Sequence, residues 1–448
     1  MILEDYIDIN ARLYPDKTAI VCNHDTCTYE DLKNRIKDKM ILLEKESYHK
    51  GQIVCLRAFT SIDYLVTYFA LHKMGCIVTP LEKDIPDESF DRISQKICSN
   101  RVPEGTADIL YTTGTTGKSK GVMISHQTII ADAENLIDGQ GFCHELAFVV
   151  NGPLNHIGSL SKIYPVIILG ATLILVDGLK DINKFWEAFD YPATRIATFL
   201  VPASIRILIQ FSAKKLAEYA DKIDFIETGA AAISHGDMKS LCELLPNSRL
   251  YNTYASTETG IICTYNFNDG RCVAGCLGRP MKHSQVIITE NGHIACKGDT
   301  LMIGYLGDAQ RTSEILKDGV VYTSDIGILD DKGMLHLSGR EDDVINVGGF
   351  KVAPTEVEDI ALSYPIVKDC VCISVEHKIT GNALKLLVVV KEGELLNKRA
   401  LAQYLKSKLE LYKVPLLYEE VENIKRTFNG KIDRKYYKNP TNTPPTNS

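Results

Sequence analysis

The sequence predicts an α/β protein. A large N-terminal domain of mixed and parallel sheets with flanking helices is followed by a small α+β C-terminal domain. Residues 1–100 alternate strand and helix patterns, which is typical of a parallel sheet with crossover helices. A chain of 448 residues exceeds one compact core, so more than one domain is expected. A charged segment, residues 338–354, precedes two further strand patterns and a helix pattern.

The first 100 residues supply the elements of the predicted parallel sheet. Residues 18–21, 53–56 and 76–81 are short apolar runs and are predicted to be its strands. Residues 61–74 repeat apolar side chains at about 3.6-residue intervals, which predicts a helix. A second helix is expected to begin after Thr28, whose hydroxyl can cap it and which precedes two acidic residues.

The segment from residue 111 to residue 121 reads Tyr-Thr-Thr-Gly-Thr-Thr-Gly-Lys-Ser-Lys-Gly and joins two strand patterns. Its glycines allow close approach of the backbone to a ligand, and its hydroxyls, N–H groups and lysines suit an anion. It is therefore predicted to hold phosphate, with a solvated hairpin turn as the alternative. A Walker A loop is excluded, because the glycine required five positions before Gly117 is replaced by Thr112.

This segment resembles the signature of the adenylate-forming superfamily, which includes acyl- and aryl-CoA ligases, peptide-synthetase adenylation domains and beetle luciferases. The usual pattern is Tyr/Phe-Thr-Ser-Gly-Thr-Thr-Gly-x-Pro-Lys-Gly, and this chain departs from it at Thr113 and Ser119. Residues 98–105 alone separate the first unit from the loop, so part of the family's first subdomain is expected to be missing. The resemblance implies that ATP is bound by Thr112, Thr113, Gly114, Thr115, Thr116, Gly117 and Lys120.

Two later segments resemble the family's adenine and phosphate motifs. Residues 225–232 resemble the glycine-rich segment that stacks on adenine, although alone they indicate only a tight turn after a strand. Residues 250–260 resemble the Tyr-Gly-x-Thr-Glu motif, at a strand end where open α/β sheets bind ligands. The resemblance places Tyr254 on adenine, Thr257 on the α-phosphate and Mg²⁺ on Glu258. It also implies nucleotide contacts from Gly229, Ala230, Ala231 and Asn252, and acyl-pocket positions for Ala255 and Ser256.

The C-terminal third resembles the family's ribose and hinge motifs. Asp325 matches the aspartate that accepts both ribose hydroxyls, although an aspartate after a strand can be a simple turn residue. Arg340 would contact ribose and phosphate. The hinge would be Asp342, which divides an N-terminal domain of residues 1–341 from a mobile lid of residues 342–438. Gly349 and Lys351 would line the path of a thiol.

Three further predictions concern the ends of these segments. Thr355 and Glu358 are expected to form a capping box at the start of the next helix. Residues 425–435 are basic, which alone would indicate a solvated or nucleic-acid-binding tail. By resemblance, their Asn-Gly-Lys presents Lys431, which would bridge the substrate carboxylate and the α-phosphate. Residues 439–448 are predicted to be disordered.

His156 lies in a segment that resembles the family's Pro-Leu-x-His motif. Alone, a histidine among apolar residues is more often a core or helix-cap residue than a catalyst. The resemblance implies a position in the wall of the acyl pocket. The aspartate that anchors the α-amino group in amino-acid-activating relatives has no counterpart in residues 151–160, which favours a plain carboxylic acid.

The resemblance implies ATP-dependent activation of a small-molecule carboxylic acid to an acyl-AMP with release of pyrophosphate. The acyl group would then pass to coenzyme A, and the cofactors would be ATP, Mg²⁺ and coenzyme A. Loading of an acyl carrier protein's phosphopantetheine is the alternative reaction. A non-catalytic nucleotide-binding protein is the alternative of another class.

Composition restricts the partners and the compartment. The formal net charge of −7 disfavours nucleic-acid binding. The longest apolar run, residues 164–176, is too short to span a bilayer, and acidic residues near the N-terminus argue against a signal peptide. Of the 13 cysteines, Cys272 and Cys276 lack the second pair of a zinc site. A cytoplasmic protein is predicted.

Overall fold

A computed structural model describes residues 1–112, 120–378, 380–427 and 431–438. It confirms the predicted α/β class, with a large sheet-rich N-terminal part and a smaller C-terminal part. The predicted phosphate-loop residues Thr113, Gly114, Thr115, Thr116 and Gly117 lie outside the described residues. So do the Asn-Gly pair before Lys431 and the predicted disordered tail, residues 439–448.

The strands of the described residues are numbered β1 to β24 in chain order. They span Thr18–Cys22, Asp25–Thr28, Ile53–Arg57, Ile77–Leu81, Thr106–Thr112, Lys120–Ser125, Leu146–Val150, Thr172–Leu175, Arg195–Phe199, Ile223–Gly229, Arg249–Ser256, Gly260–Asn266, Cys276–Pro280, Ser284–Ile288, His293–Gly298, Gly304–Tyr305, Leu316–Lys317, Val320–Leu329, Leu335–Arg340, Ile345–Val347, Phe350–Val352, Val367–His377, Gly381–Val390 and Leu417–Glu420.

The α-helices are numbered α1 to α13 in the same way. They span Asp5–Leu13, Tyr29–Lys45, Ile62–Lys73, Asp87–Cys98, His126–Gln140, Ile157–Leu169, Ile182–Glu187, Pro202–Glu218, His235–Leu244, Ala309–Ile315, Pro354–Leu362, Lys398–Lys406 and Arg434–Lys438. Short 3-10 turns lie at Ala188–Asp190, Glu341–Asp343 and Leu411–Lys413.

The largest sheet places parallel strands at its centre. Its order is β14-β15-β18-β19-β13-β12-β11-β10-β9-β7-β8-β1-β2. Neighbouring strands are parallel from β1 through β8, β7, β9 and β10 to β11. The strands on the β12 side are antiparallel. The carboxyl ends of β9, β10 and β11 therefore open on one edge, where ligands bind in open α/β sheets.

A second sheet, of order β16-β6-β5-β4-β3, carries the hairpin of the predicted phosphate loop. Strands β3, β4 and β5 are parallel, whereas β5 and β6 are antiparallel and end with Thr112 opposite Lys120. The prediction of one parallel sheet for residues 1–100 was wrong in one respect. Strand β1 pairs with β2 and β8 in the large sheet, because its apolar pattern cannot specify which sheet buries it.

Side-chain caps determine where several N-terminal helices begin. The predicted cap of α2 is present: the Thr28 hydroxyl accepts from the Asp31 N–H at 3.1 Å, and the Asp31 carboxylate accepts from the Thr28 N–H. The Ser61 and Ser125 hydroxyls cap α3 and α5, each accepting from the backbone N–H three residues further on. Each cap satisfies a backbone donor that the helix leaves unpaired.

The smaller C-terminal part has its own apolar core. Strands β22, β23 and β24 form a three-stranded sheet, and α11 and α12 pack against it. The predicted capping box was wrong, because Pro354 begins α11 without a side-chain cap. Glu358 is buried instead, accepting from Arg434 at 2.7 Å and from the Cys372 N–H at 2.8 Å. Its pattern matched a cap, but the half-buried Arg434 determined its contacts.

One ion-pair cluster connects the two parts of the chain. Asp369 of β22 accepts from Arg426 at 2.7 Å and lies 3.5 Å from Arg206 of α8. Arg206 also binds Asp237 of α9 at 2.8 Å. Among the described residues, no helix combines the length and apolarity needed to cross a bilayer.

A buried polar network joins α3 to the start of α1 and to β5. The imidazole of His72 lies 2.8 Å from a Glu4 oxygen and 3.3 Å from an Asp108 oxygen. The Tyr68 hydroxyl donates to Asp108 at 2.7 Å. Burial alone would lower the pKa of His72, but the two carboxylates outweigh it and raise that pKa to about 10.

Stability is therefore expected to fall as the pH rises through about 10. The folded pKa of His72 lies above its ordinary value of 6.5, so the stabilisation is complete below that value and is lost as the imidazolium deprotonates. In His72→Gln, the slope of unfolding free energy against pH should be smaller by up to about 1 kcal/mol per pH unit. Thermal unfolding between about pH 7 and pH 10 measures this. The exposed control His49→Gln should keep the wild-type slope, and equal slopes for wild type and His72→Gln would contradict the assignment.

Candidate active site

Lys120, Tyr305 and Glu258 lie together beside the β5–β6 hairpin. The Tyr305 hydroxyl donates to Glu258 Oε1 at 2.9 Å, and the Lys120 ammonium lies 5.1 Å from the centre of the Tyr305 ring. Burial raises the pKa of Tyr305, and the Glu258 carboxylate raises it further, so the phenol remains a donor. Burial lowers the pKa of Lys120, as do Arg311 and Arg340, against the opposing effect of Glu258.

The β11–β12 turn holds Glu258 in place. Ser256 and Thr259 close this turn through a hydroxyl contact of 2.9 Å, and the Glu258 carbonyl accepts from the Met302 N–H at 3.0 Å. Gly260, which follows Thr259, has a φ of +69°, and a β-carbon there would lie 2.5 Å from the Thr300 carbonyl oxygen. This position therefore requires glycine. The turn leaves one oxygen of Glu258 available beside Lys120, where it could bind Mg²⁺.

Asp325 connects β18 to the aromatic residue of β11. Its Oδ2 accepts from the Tyr254 hydroxyl at 2.7 Å, and its Oδ1 lies 3.4 Å from Arg340 Nε. Asp325 lies within β18 rather than after a strand, so its interpretation as a simple turn residue was wrong. Burial raises the pKa of Tyr254, and Asp325 adds to the effect. Each carboxylate oxygen keeps a further lone pair for a ligand hydroxyl.

Lys431 lies within electrostatic range of Asp325 and Glu258, and the region between these three side chains is called the cleft below. Burial lowers the pKa of its ammonium and Arg340 lowers it further, whereas Asp325 and Glu258 act in the opposite direction. Part of its side chain remains exposed to solvent, as expected for a residue in an open cleft. The structure therefore brings a lysine of the C-terminal part to the carboxylates of the N-terminal part.

His156 lies near Lys431, and the small residues predicted to line the ligand sites end strands β10 and β11 or follow β10. His156 immediately precedes α6, and burial followed by the charge of Lys431 lowers its pKa, which keeps the imidazole neutral. Ala255 and Ser256 end β11 and are half-buried. Gly229 ends β10 beside Thr253, and Ala230 follows with a φ of +65°. Of these residues, His156 is the one whose pKa the charge of Lys431 affects.

The remaining predicted residues occupy varied positions. Asn252 is buried, and its amide nitrogen donates to the Cys276 carbonyl at 3.0 Å. Thr112 and Thr257 are half-buried, at the end of β5 and in the β11–β12 turn, and Ala231 is half-buried after β10. Asp342 lies in the Glu341–Asp343 turn. Gly349 and Lys351 belong to the exposed β20–β21 hairpin, where the Gly349 N–H donates to Asn346 at 2.8 Å.

Sequence reasoning missed two residues of this cleft. Tyr305 contacts Glu258 directly, and the Arg311 guanidinium lies 5.9 Å from the centre of the Tyr305 ring. Neither belongs to a segment that resembled a family motif. Strand β16 consists of Gly304 and Tyr305 before a turn, a pattern with no signal that would have singled out Tyr305.

Removal of the Tyr305 hydroxyl is expected to weaken the positioning of Glu258. Tyr305→Phe should lower the rate of any Glu258-dependent step about 10- to 100-fold, because hydrogen bonds to charged groups contribute about 1.5–3 kcal/mol. The measurement is the rate of ATP–pyrophosphate exchange at increasing Mg²⁺. The exposed control Tyr322→Phe should behave as wild type. A wild-type Mg²⁺ dependence in Tyr305→Phe would rule out this positioning role.

Two family models match the chain. The model described as AMP-binding enzyme matches residues 7–102 and 94–306, and the AMP-binding enzyme C-terminal domain matches residues 356–431. The first match spans more than half of the chain and includes the Lys120, Glu258 and Tyr305 cluster.

Curated relatives are CoA ligases. A long-chain-fatty-acid–CoA ligase of Bacillus subtilis is 29% identical over 74% of this chain, and the match covers 61% of that relative's length. An indoleacetate–CoA ligase of Aromatoleum aromaticum is 25% identical, with 96% of each chain covered. A 2-succinylbenzoate–CoA ligase of Bacillus cereus is 25% identical over 95% of this chain and 96% of the relative.

Solved structures share the fold. ATP-bound MatB from Rhodopseudomonas palustris superposes with a TM-score of 0.85 at 22% identity, covering 97% of this chain and 98% of that one. The amide bond synthetase McbA from Marinactinospora thermotolerans superposes with a TM-score of 0.85 at 20% identity, covering 97% and 99%. The predicted resemblance is confirmed: this chain belongs to the AMP-binding enzyme family within the adenylate-forming superfamily.

Proposed function

We propose that this protein activates a carboxylic acid with ATP and transfers the acyl group to coenzyme A. The main support is the convergence of Lys431, Glu258 and Asp325 in one cleft beside the β5–β6 hairpin. The curated relatives are CoA ligases, two of them matched over nearly their whole length. They favour this reaction over carrier-protein loading and over nucleotide binding without chemistry.

The first step joins two anions. A carboxylate oxygen of the acid attacks the α-phosphorus of ATP, the bond between the α- and β-phosphates breaks, and pyrophosphate leaves. Lys431 would lie between the carboxylate and the α-phosphate, and Thr257 beside the latter. When bound at Glu258, Mg²⁺ would neutralise phosphate charge. Catalysis would then consist mainly of positioning and charge stabilisation.

The nucleotide would lie along the carboxyl ends of β10, β11 and β18. Tyr254 and the backbone of residues 229–231 would contact adenine, and Asp325 with Arg340 would bind the ribose. The hairpin that ends at Thr112 and Lys120 would hold the outer phosphates. Tyr254 already fixes one oxygen of Asp325, which leaves the carboxylate oriented before ribose binds.

The second step needs a thiol acceptor. The sulfur attacks the acyl carbonyl carbon, the bond to the adenylate oxygen breaks, AMP leaves, and the thiol proton passes to solvent. Because an amide bond synthetase has the same fold, the fold alone does not select the acceptor. We propose that the lid rotates about Asp342, which would withdraw Lys431 and admit coenzyme A beside Gly349 and Lys351. The 13 free cysteines fit the reducing cytosol, where we expect the enzyme to act.

An acid panel tests this function. Purified protein is incubated with ATP, Mg²⁺, labelled pyrophosphate and single carboxylic acids, and exchange into ATP is measured. Active acids are then assayed for thioester formation with coenzyme A. Acid-dependent exchange followed by a coenzyme A thioester is the expected result. If no acid in the panel supports exchange, the proposed function is wrong. If an acid forms adenylate but no coenzyme A thioester, coenzyme A is not the acceptor.

A further inference from the structure

Phe199 lies at the carboxyl end of β9, between α6 and β10. A β-carbon added to Gly158 of α6 would stand 3.4 Å from the Phe199 ring, and one added to Gly229 of β10 would stand 3.7 Å from it. The two glycines thus allow the ring to contact both backbones. An alkyl chain needs about 4 Å to each neighbouring heavy atom, so it cannot pass on either side of the ring.

A buried ion pair lies against this ring. The Lys162 ammonium is 5.3 Å from the centre of the Phe199 ring and 2.7 Å from Glu227 Oε1. Both charged side chains are 1% exposed, whereas Phe199 remains half-buried. Glu227 lies two residues before Gly229 on the same face of β10. Because a desolvated cation binds an aromatic face strongly, Lys162 holds the ring in its observed position.

The start of α6 links the proposed reaction centre to the ring. His156, whose pKa responds to the charge of Lys431, precedes Gly158 by two residues. Two residues advance an α-helix by about 3 Å. A carboxylate placed beside Lys431 and His156 would therefore extend its acyl chain along the start of α6, toward the Phe199 ring that packs on Gly158.

We infer that Phe199 forms the floor of the acyl pocket, that Lys162 and Glu227 position it, and that the substrate is a short-chain carboxylic acid. This inference rests on the proposed function and specifies its substrate class. The long-chain-fatty-acid ligase among the relatives therefore differs from this protein in chain-length preference. Phe199 determines specificity by contact with substrate, whereas Lys162 acts through Phe199.

The dependence of activity on the length of the acid tests whether Phe199 forms the floor of the acyl pocket. ATP–pyrophosphate exchange is measured with acetate, butyrate, hexanoate, octanoate and decanoate for wild type, Phe199→Ala and the milder Phe199→Leu. Wild type should have its highest kcat/KM at butyrate or below. Each methylene that gains a buried place contributes about fourfold, so Phe199→Ala should raise kcat/KM for octanoate at least about tenfold. The exposed control Phe211→Ala should keep the wild-type profile.

The double variant Lys162→Met with Glu227→Leu tests the positioning pair without an unpaired buried charge. Its profile should broaden toward hexanoate, whereas a purely structural pair would change thermal stability alone. A wild-type optimum at octanoate or decanoate would show that Phe199 does not limit the acyl pocket, and would leave the proposed function intact. If both Phe199 variants keep the wild-type chain-length profile, Phe199 is not the floor of the pocket, and the proposed function is again unaffected. If none of these five acids supports exchange, the short-chain inference is overturned, whereas the proposed function is overturned only if no acid of the wider panel supports exchange.

Discussion

Lys431→Ala is expected to slow acyl-adenylate formation about 10²–10³-fold, which is the typical effect of removing one group that stabilises transition-state charge. The amine lies in the field of Glu258 and Asp325, where the proposed reaction places the attacking carboxylate and the α-phosphate. Single-turnover formation of acyl-AMP from ATP and a good acid measures this step separately from thioester formation. Binding of ATP should change much less than the rate.

Lys425→Ala provides the matched control. Lys425 belongs to the same C-terminal segment and is exposed, and its contacts with the Tyr437 hydroxyl and the Asp433 N–H are made by its backbone. It should form adenylate at the wild-type rate. Full-speed adenylate formation by Lys431→Ala would contradict the role assigned to this amine.

Asp342→Pro is expected to separate the two half-reactions. Proline fixes φ near −65°, within the range of the 3-10 turn in which Asp342 lies. The observed arrangement, with Lys431 in the cleft, should therefore persist and adenylate should still form. Rotation about residue 342 should be blocked, and misplacement of the acceptor should slow thioester formation about 10²-fold or more. Separate assays of exchange and thioester formation measure the two steps.

The control for Asp342→Pro is Asp331→Pro. Asp331 follows Asp330 in the turn between β18 and β19, at a position that tolerates proline. It should leave both half-reactions unchanged. Equal loss of adenylation and thioester formation in Asp342→Pro would refute the hinge.

Much of the fold could be predicted from local patterns. The cap at Thr28 and the strands around residues 53–56 and 76–81 depend on side chains close in sequence, and the structure has them. The membership of β1 depends on β8, which lies about 150 residues further along the chain, and no local pattern contains that pairing. Glu358 matched a cap motif, but its partner Arg434 is distant in sequence.

The candidate site was predictable where its residues belong to continuous motifs. Glu258, Asp325 and Arg340 each lie in such a segment, and the structure brings them together with Lys431. Tyr305 and Phe199 act through contacts made by the folded chain, with Glu258 and with the two glycines. Asn252 donates to the Cys276 carbonyl, a contact that its motif did not predict, and its role toward the nucleotide stays a prediction.

The most direct test of the account is a crystal structure with a non-hydrolysable acyl-adenylate analogue of a short acid. The account predicts that Lys431 Nζ lies about 2.7–3.2 Å from both the acyl oxygen and an α-phosphate oxygen, with the ribose hydroxyls on Asp325. A complex of the wild-type enzyme in which the Lys431 amine points away from both oxygens, while the analogue fills the cleft, would contradict it.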